Sequence, residues 1–398
     1  MKQEDIARIA YDPKTTEQDT DKDGNPLQTG IRAAFLALRK NPDMKILAVG
    51  KKSELEQDIE TVIKGKPRFN RDAHKIILVH ADNYIGMHEN PRSALENKNS
   101  SIYKCFELVK NKEADVVVSP GNSGATNLLA GTNLGRLKIN SSMSIKDRLL
   151  GRNLFGRVSK PGLLARIPTQ SEELAYLIDA GASIDQEDYH LGHYALMLHA
   201  YLKESEGIDN PRIALLNIGS ENWKGNSLYR GTYEILSQYD KAGLINFVGN
   251  LEPEDVYKQN ADGFVCDSQV GNIFIKASEA VSSFQQDIIK ESYKAQNGLL
   301  IPIKFAGGPA LSIIKSDLRK KVDLLKLGGG LILGVKKPVI VVHGNSGERE
   351  LAGALLYASK VAKFDLAERI DSIFQEGIEA SWKDLSRWHE MYKRIRRK

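Results

Sequence analysis

The chain has 398 residues, 41% of them hydrophobic and 27% charged, the balance of a globular protein with a sizeable core. Two cysteines, Cys105 and Cys266, exclude a disulfide framework, and no apolar run reaches the ~18–20 residues of a membrane span. Lys and Arg number 56 against 51 Asp and Glu, so the chain is only mildly basic, at a net charge of +5.

The first ten residues carry charges throughout and lack the apolar stretch of a signal peptide, so a cytoplasmic protein is expected. Residues 13–29 are polar and turn-rich, an exposed loop. Asp19, Asp21, Asp23 and Gly24 look like the start of a calcium loop, but its last ligand position falls on Gly30 instead of Glu, which rejects that site. Lys45–Val49 and Lys75–Val79 read as strands. Ala114–Ser119 is a further strand, running through Pro120 and Gly121-Asn122-Ser123-Gly124 into a helix from about Ala125. Leu174–Ala180 leads to Gly181, a polar turn, and a helix holding His190, Ala195 and Leu198. Arg212–Ile218 leads through Gly219–Asn226 to a helix from about Ser227, and Gly263–Asp267 leads to Ser268–Asn272. Residues 296–334 interrupt the alternation, where Pro302, Pro309 and several glycines prevent one long helix. Val339–His343 then runs through Gly344-Asn345-Ser346-Gly347 to a helix from Glu348. In the tail, Trp382, Leu385, Trp388, Tyr392 and Ile395 line one side of a helical pattern, with Lys and Arg on much of the remainder. Such a basic end invites an acidic partner, and composition does not choose among nucleic acid, anionic lipid and acidic protein.

Strands that alternate with helices and are apolar on both faces predict a mainly parallel sheet covered on two sides. Ligands of such sheets bind beyond the carboxyl ends of the strands, and all five Gly/Asn loops are expected to gather there, at one edge. The sequence contains no internal repeat.

Gly121-Asn122-Ser123-Gly124 sits between a strand and a helix, where glycines aim backbone N–H groups at one point and the helix start adds partial positive charge. Phosphate is the natural guest, although a tight turn explains one such loop equally well. A second copy, His343-Gly344-Asn345-Ser346-Gly347, favours function. Neither loop is a Walker A motif, and the dinucleotide fingerprint and the G-x-S-x-G elbow are both missing. Lys224-Gly225-Asn226 places a point charge at a strand's carboxyl end, suited to an oxyanion. His190 and His193, with His199 nearby, lack accompanying carboxylates and read as packing residues; Cys266, beside Asp267, reads as a small hydrophobe.

Taken together these motifs are collinear with one family. They are G-M-x-E-x-P-x-x-A-x-x-x-K-x-S-S (Gly86 to Ser101), A-D-V-V-V-S-P-G-N-S-G-A, L-L-N-I-G…K-G-N, I-N-F-V-G-N (Ile245 to Asn250), V-C-D…G-N (Val265 to Asn272) and the final H-G-N-S. From about residue 30 to 370 the chain resembles the bacterial acyl-acyl-carrier-protein:phosphate acyltransferases, the PlsX family of phospholipid synthesis. The resemblance implies a three-layer α/β/α sandwich of the isocitrate-dehydrogenase/phosphotransacetylase type, with residues 1–380 as a single domain in a homodimer. Residues 296–327 would be a protruding apolar hairpin with peripheral contact at the inner face of the membrane, while 381–398, beyond the resemblance, stay a basic amphipathic tail. The implied reaction moves a fatty acyl group from acyl-carrier protein to inorganic phosphate, with no cofactor, metal or nucleic-acid partner. Lys224 and Asn272 match the residues expected to be catalytic. Those expected to hold phosphate or substrate are Gly121, Asn122, Ser123, Gly124, Asn226, Asp267, His343, Asn345 and Ser346.

The chain departs from the family pattern at three places. Asp12 is followed by Pro-Lys-Thr-Thr where the family has Ala-Met-Gly-Gly-Asp, Ser183 replaces the Asn after D-x-G-A, and Gly347 replaces the Asp after H-G-x-S. Two other readings therefore stay open: a catalytically altered or inactive relative that binds acyl-carrier protein or acyl ligands, and a short-chain phosphate acyltransferase using coenzyme A.

Overall fold

The computed structural model describes residues 6–13, 28–137, 160–171, 173–295, 329–344, 346–370 and 372. The expected hairpin at 296–327, the tail at 381–398, Asp19 to Gly24 of the early loop, and Asn345 lie outside them.

Short runs rich in β-branched side chains become strands because alternate residues can bury on two faces. The first part of the chain gives β1 (Ala7–Tyr11), β2 (Met44–Gly50), β3 (Ile76–His80) and β4 (Val116–Ser119). The middle gives β5 (Gly162–Pro168), β6 (Leu174–Ile178), β7 (Arg212–Leu216), β8 (Asn246–Leu251) and β9 (Gly263–Val265). The chain then returns through β10 (Gly330–Leu333) and β11 (Val339–Val341). These strands form one sheet in the order β3-β2-β1-β4-β11-β10-β5-β6-β9-β7-β8.

Helices cover both faces of this sheet. They are α1 (Thr29–Lys40), α2 (Lys52–Gly65), α3 (Ser93–Glu96), α4 (Ser101–Lys110), α5 (Ser123–Leu129), α6 (Asp188–Glu206), α7 (Ser227–Lys241), α8 (Pro253–Lys258), α9 (Ser268–Ala295) and α10 (Glu348–Val361). Alternation along the strands separates the layers. Ile9, Tyr11, Ile213 and Leu215 point into one continuous apolar cluster that spans the whole sheet under α1, α6 and α10. Ala10 and Val117 face a second cluster with Phe106 and Leu129, while Ala214 and Leu216 face a third with Val256 and Phe264. This is the three-layer α/β/α arrangement expected of the sequence.

The continuous side is also where the two ends of the sheet are joined. Helix α6 is apolar nearly all round, burying Leu191, Tyr194, Leu198 and Tyr201, the pattern of a core helix. Its Tyr201 hydroxyl lies 2.8 Å from that of Tyr357 on α10, and Lys360 of α10 reaches Glu206 at 2.8 Å.

The strand directions overturn one expectation. β3, β2, β1, β4 and β11 run parallel to one another, as do β6, β9, β7 and β8. Between these halves, β10 pairs antiparallel with β11 and β5, and β5 pairs antiparallel with β6. An odd number of reversals leaves the halves running in opposite senses. The loops after β4 and β11 therefore leave one edge, and those after β6, β7 and β9 leave the other. The five Gly/Asn loops do not gather at one edge.

Candidate functional site

At the β4/β11 edge the polar groups are largely engaged with the fold. Asn122 is buried and caps α5, its Oδ1 accepting from the Ala125 N–H at 3.0 Å. Its Nδ2 faces the carbonyls of Gly86, Met87 and Glu89 at 3.2, 3.3 and 3.0 Å, fixing the preceding loop. The Gly121 N–H donates to Ser119 Oγ at 3.2 Å. Gly124 is needed for fit, since a Cβ there would lie 2.6 Å from Pro91 Cγ. Asp12, just beyond β1, is buried beside this loop and accepts from the Ser101 hydroxyl at 3.0 Å. On the neighbouring loop, Gly344 sits against Met87, His343 is exposed, and the Ser346 N–H closes a turn onto the His343 carbonyl at 3.0 Å. Ser123 is exposed and Ser346 half-buried at the same edge.

At the other edge the loop after β7 is tied down while its lysine stays accessible. The Lys224 carbonyl accepts from Asn217 Nδ2 at 3.2 Å, and the Lys224 N–H donates to the Glu221 carbonyl at 3.1 Å. Gly225 takes a left-handed φ of 87°, which glycine adopts without the Cβ penalty. The Lys224 side chain is 40% exposed and its Nζ lies 3.8 Å from Glu221 Oε2, a loose solvated pair. Asn226 caps α7 by accepting from the Tyr229 N–H at 3.1 Å. The Tyr229 hydroxyl then bridges to the β9 loop, donating to Asp267 Oδ2 at 2.8 Å and accepting from the Asp267 N–H at 3.2 Å. Asp267 Oδ1 caps α9 from Gln269 and Val270 at 2.9 and 3.0 Å, and Asn272, in the first turn, is exposed. Lys224, Asn226, Asp267 and Asn272 thus share an edge where two helices begin, each start carrying partial positive charge.

Other titratable candidates fall into place as structure. Cys266 is fully buried, and burial pushes its thiol well above the ordinary value, which removes it as a nucleophile. His190 Nδ1 accepts from the Glu187 N–H at 2.9 Å, and His193 packs edge-on to Tyr189. Among the described residues no group of three His, Cys, Asp or Glu is placed to hold a metal ion.

A buried residue absent from the expected set stands between β6 and this edge. Asp179 receives N–H groups from Leu163, Gly181, Ala182, Ser183 and Gln186. Burial pushes its carboxyl up from the usual value and the backbone donors oppose that shift. A contact set made only of donors is that of an ionised carboxylate. The local signal is an acid at the end of an apolar strand followed by the small residues Ala180, Gly181, Ala182 and Ser183.

Comparison with known proteins agrees with the motif order. The family described as "Fatty acid synthesis protein" matches residues 23–369. The chain belongs to this family. Relatives named phosphate acyltransferase include those of Sulfurimonas denitrificans, 36% identical over 82% of this chain and 87% of that protein, and Aquifex aeolicus, 34% identical over 87% and 94%. The relative from Nitratiruptor is 33% identical over 87% of this chain and 93% of its own length. Among solved structures, a phosphotransacetylase from Streptococcus pyogenes superposes with a TM-score of 0.51 at 16% identity, covering 90% of this chain and 94% of that one. That likeness shows a shared fold. Among the described residues no helix is long and apolar enough to cross a membrane.

Proposed function

We propose that this family member is a phosphate acyltransferase that moves a fatty acyl group from an acyl-carrier-protein thioester to inorganic phosphate. The observation that carries the reading is that an accessible Lys224 ammonium and an exposed Asn272 amide stand on loops leaving the same edge of two adjacent parallel strands, in a chain whose relatives are named for this activity. A phosphate oxygen attacks the thioester carbonyl carbon, a C–O bond forms, and the C–S bond breaks. The electron pair leaves with sulfur, and the thiolate takes its proton from solvent. Acyl phosphate and the free carrier thiol result.

The chemistry asks for positioning and for charge stabilisation. A thiol of ordinary pKa near ~8.5 is a good leaving group, so the demanding species is the tetrahedral oxyanion. Lys224 supplies a cation and Asn272 an amide donor to it. One unit-charge pair at ~4 Å is worth about 4 kcal/mol at an effective dielectric near 20. Gly121 to Gly124, His343 and Ser346 leave the opposite edge of the sheet, so any contact of theirs with substrate is separate from the attack at Lys224 and Asn272. The family resemblance also supplies a homodimer, residues 1–380 as one domain, and peripheral membrane contact through 296–327 as parts of the same reading. Flotation with liposomes, lost on changing Leu299, Leu300 and Ile301 to polar residues, tests the membrane part.

The test of the reaction is to incubate the protein with acyl-acyl-carrier protein or acyl-coenzyme A, with and without phosphate, and trap acyl phosphate as the hydroxamate. Phosphate-dependent hydroxamate from the carrier-protein thioester supports the reading. Product from short-chain coenzyme A thioesters only would move the protein to the other acyl donor. No product with either donor would leave a binding protein.

A further inference from the structure

The five donors on Asp179 come from both sides of the loop that follows β6. Oδ1 accepts from the N–H groups of Leu163, Gly181 and Ala182 at 2.9, 3.0 and 2.8 Å, and Oδ2 from the Ser183 N–H and Gln186 Nε2 at 3.0 Å each. A carboxylate offers about four lone-pair sites, so this one is saturated and the turn has a single arrangement that satisfies it. Ser183, one of the three departures from the family pattern, takes part: its hydroxyl donates to the Pro161 carbonyl at 2.7 Å while its N–H serves Asp179.

The same network reaches the helix that carries Asn272. Gln186 turns its Oε1 to the N–H of Ser268, the first residue of α9, at 2.8 Å. The Asp179 carbonyl packs so closely on that helix that a Cβ at Gly271 would lie 2.0 Å from it. Gly181, at φ 128°, lies against Asn272, where an added Cβ would meet its side-chain atoms at 3.4 to 3.5 Å. The loop, the carboxylate and the first turn of α9 are one packed unit.

We infer that Asp179 and Gln186 are positioning residues, which hold the exposed amide of Asn272 in its working place without touching substrate. The inference rests on the function proposed above. A buried carboxylate without partners would be costly, so the saturated shell keeps the unit assembled.

A double-mutant cycle on the acyl-phosphate assay tests it. Gln186→Ala removes the link to Ser268 and leaves Asp179 its backbone donors, and Gln186→Met, which keeps side-chain length without polar atoms, is the companion if the first does not fold. Turnover is expected to fall about tenfold in the Gln186 variant with KM for phosphate within about twofold, and Asn272→Ala to fall further. The double variant is expected to be no slower than Asn272→Ala, because residues acting through one another are non-additive. Losses that multiply would make Gln186 a general structural residue and overturn the inference while leaving the proposed function standing. A fully active Asn272→Ala, or an inactive wild-type protein, would overturn the function and the inference together.

Discussion

The two halves of the sheet are anchored alike at one end and equipped differently at the other. Arg8, on β1, forks onto Asp115, with Nε and Nη2 at 3.2 and 2.6 Å from its two oxygens. Arg212, on β7, forks onto Asp262 at 3.2 and 2.8 Å, and in both cases the arginine's own N–H bonds the same aspartate at 2.8 Å. Each clamp ties adjacent strands, β1 to β4 and β7 to β9, near their starts. Beyond the strand ends the resemblance stops. After β4, Asn122 turns its amide inward to hold three carbonyls. After β7 and β9, Lys224 and Asn272 stay exposed over a frame of buried Tyr229 and Asp179 and half-buried Asp267. A half-sheet can thus be closed by its loop or opened by it, and the side chains directed inward decide which.

The largest effect is expected from Lys224→Ala. Removing one oxyanion donor typically costs ~10²–10³ in rate, and a side chain 40% exposed carries little packing, so turnover should fall by that factor with an almost unchanged melting temperature. Asn122→Ala should do the reverse. It removes a helix cap and the amide that holds the carbonyls of Gly86, Met87 and Glu89, costing about 0.5–2 kcal/mol and a few degrees in thermal unfolding. If Asn122→Ala instead left stability untouched, the contrast between a closed and an open edge would be lost.

Tyr229→Phe should fall between these. It deletes two hydrogen bonds to Asp267 and with them the link between the Lys224 and Asn272 loops, for about 0.5–1.5 kcal/mol each, and turnover should drop by less than in Lys224→Ala. The smallest effects belong to the clamps, where part-exposed pairs contribute about 0–1 kcal/mol. Arg212→Ala should cost more than Arg8→Ala in urea unfolding, because Asp262 is 13% exposed and Asp115 30%. Equal losses would show that the two clamps do not differ in solvent screening.

Seven of the strands, β2, β3, β4, β6, β7, β9 and β11, announce themselves in the sequence as apolar runs, the last five of them entering Gly/Asn loops. β1, β5, β8 and β10 do not. Glycines around β10, from Gly328 to Gly330, read as breakers, although Gly329 at φ 82° packs its Cα against the Val341 carbonyl where a side chain would collide. β8 contains Gly249 at φ 94° and two asparagines, so it reads as a loop motif. The opposed directions of the two halves were out of reach, because strand direction depends on pairing partners and no strand's own residues encode it. For the candidate site, Lys224 and Asn226 were legible by standing where a strand ends, and Asp267 and Asn272 through the family motif that contains them. Asp179 was not assigned a role, since that role depends on Leu163, sixteen residues earlier, and on the start of α9.

The most direct test is phosphate-dependent release of carrier thiol, followed with a thiol reagent while acyl phosphate is counted by hydroxamate in the same mixture. The account predicts one thiol per acyl phosphate in the wild-type protein, with both rates reduced ~10²–10³ in a folded Lys224→Ala variant. Thiol release that ignores phosphate, or equal rates in the variant and the wild type, would contradict it.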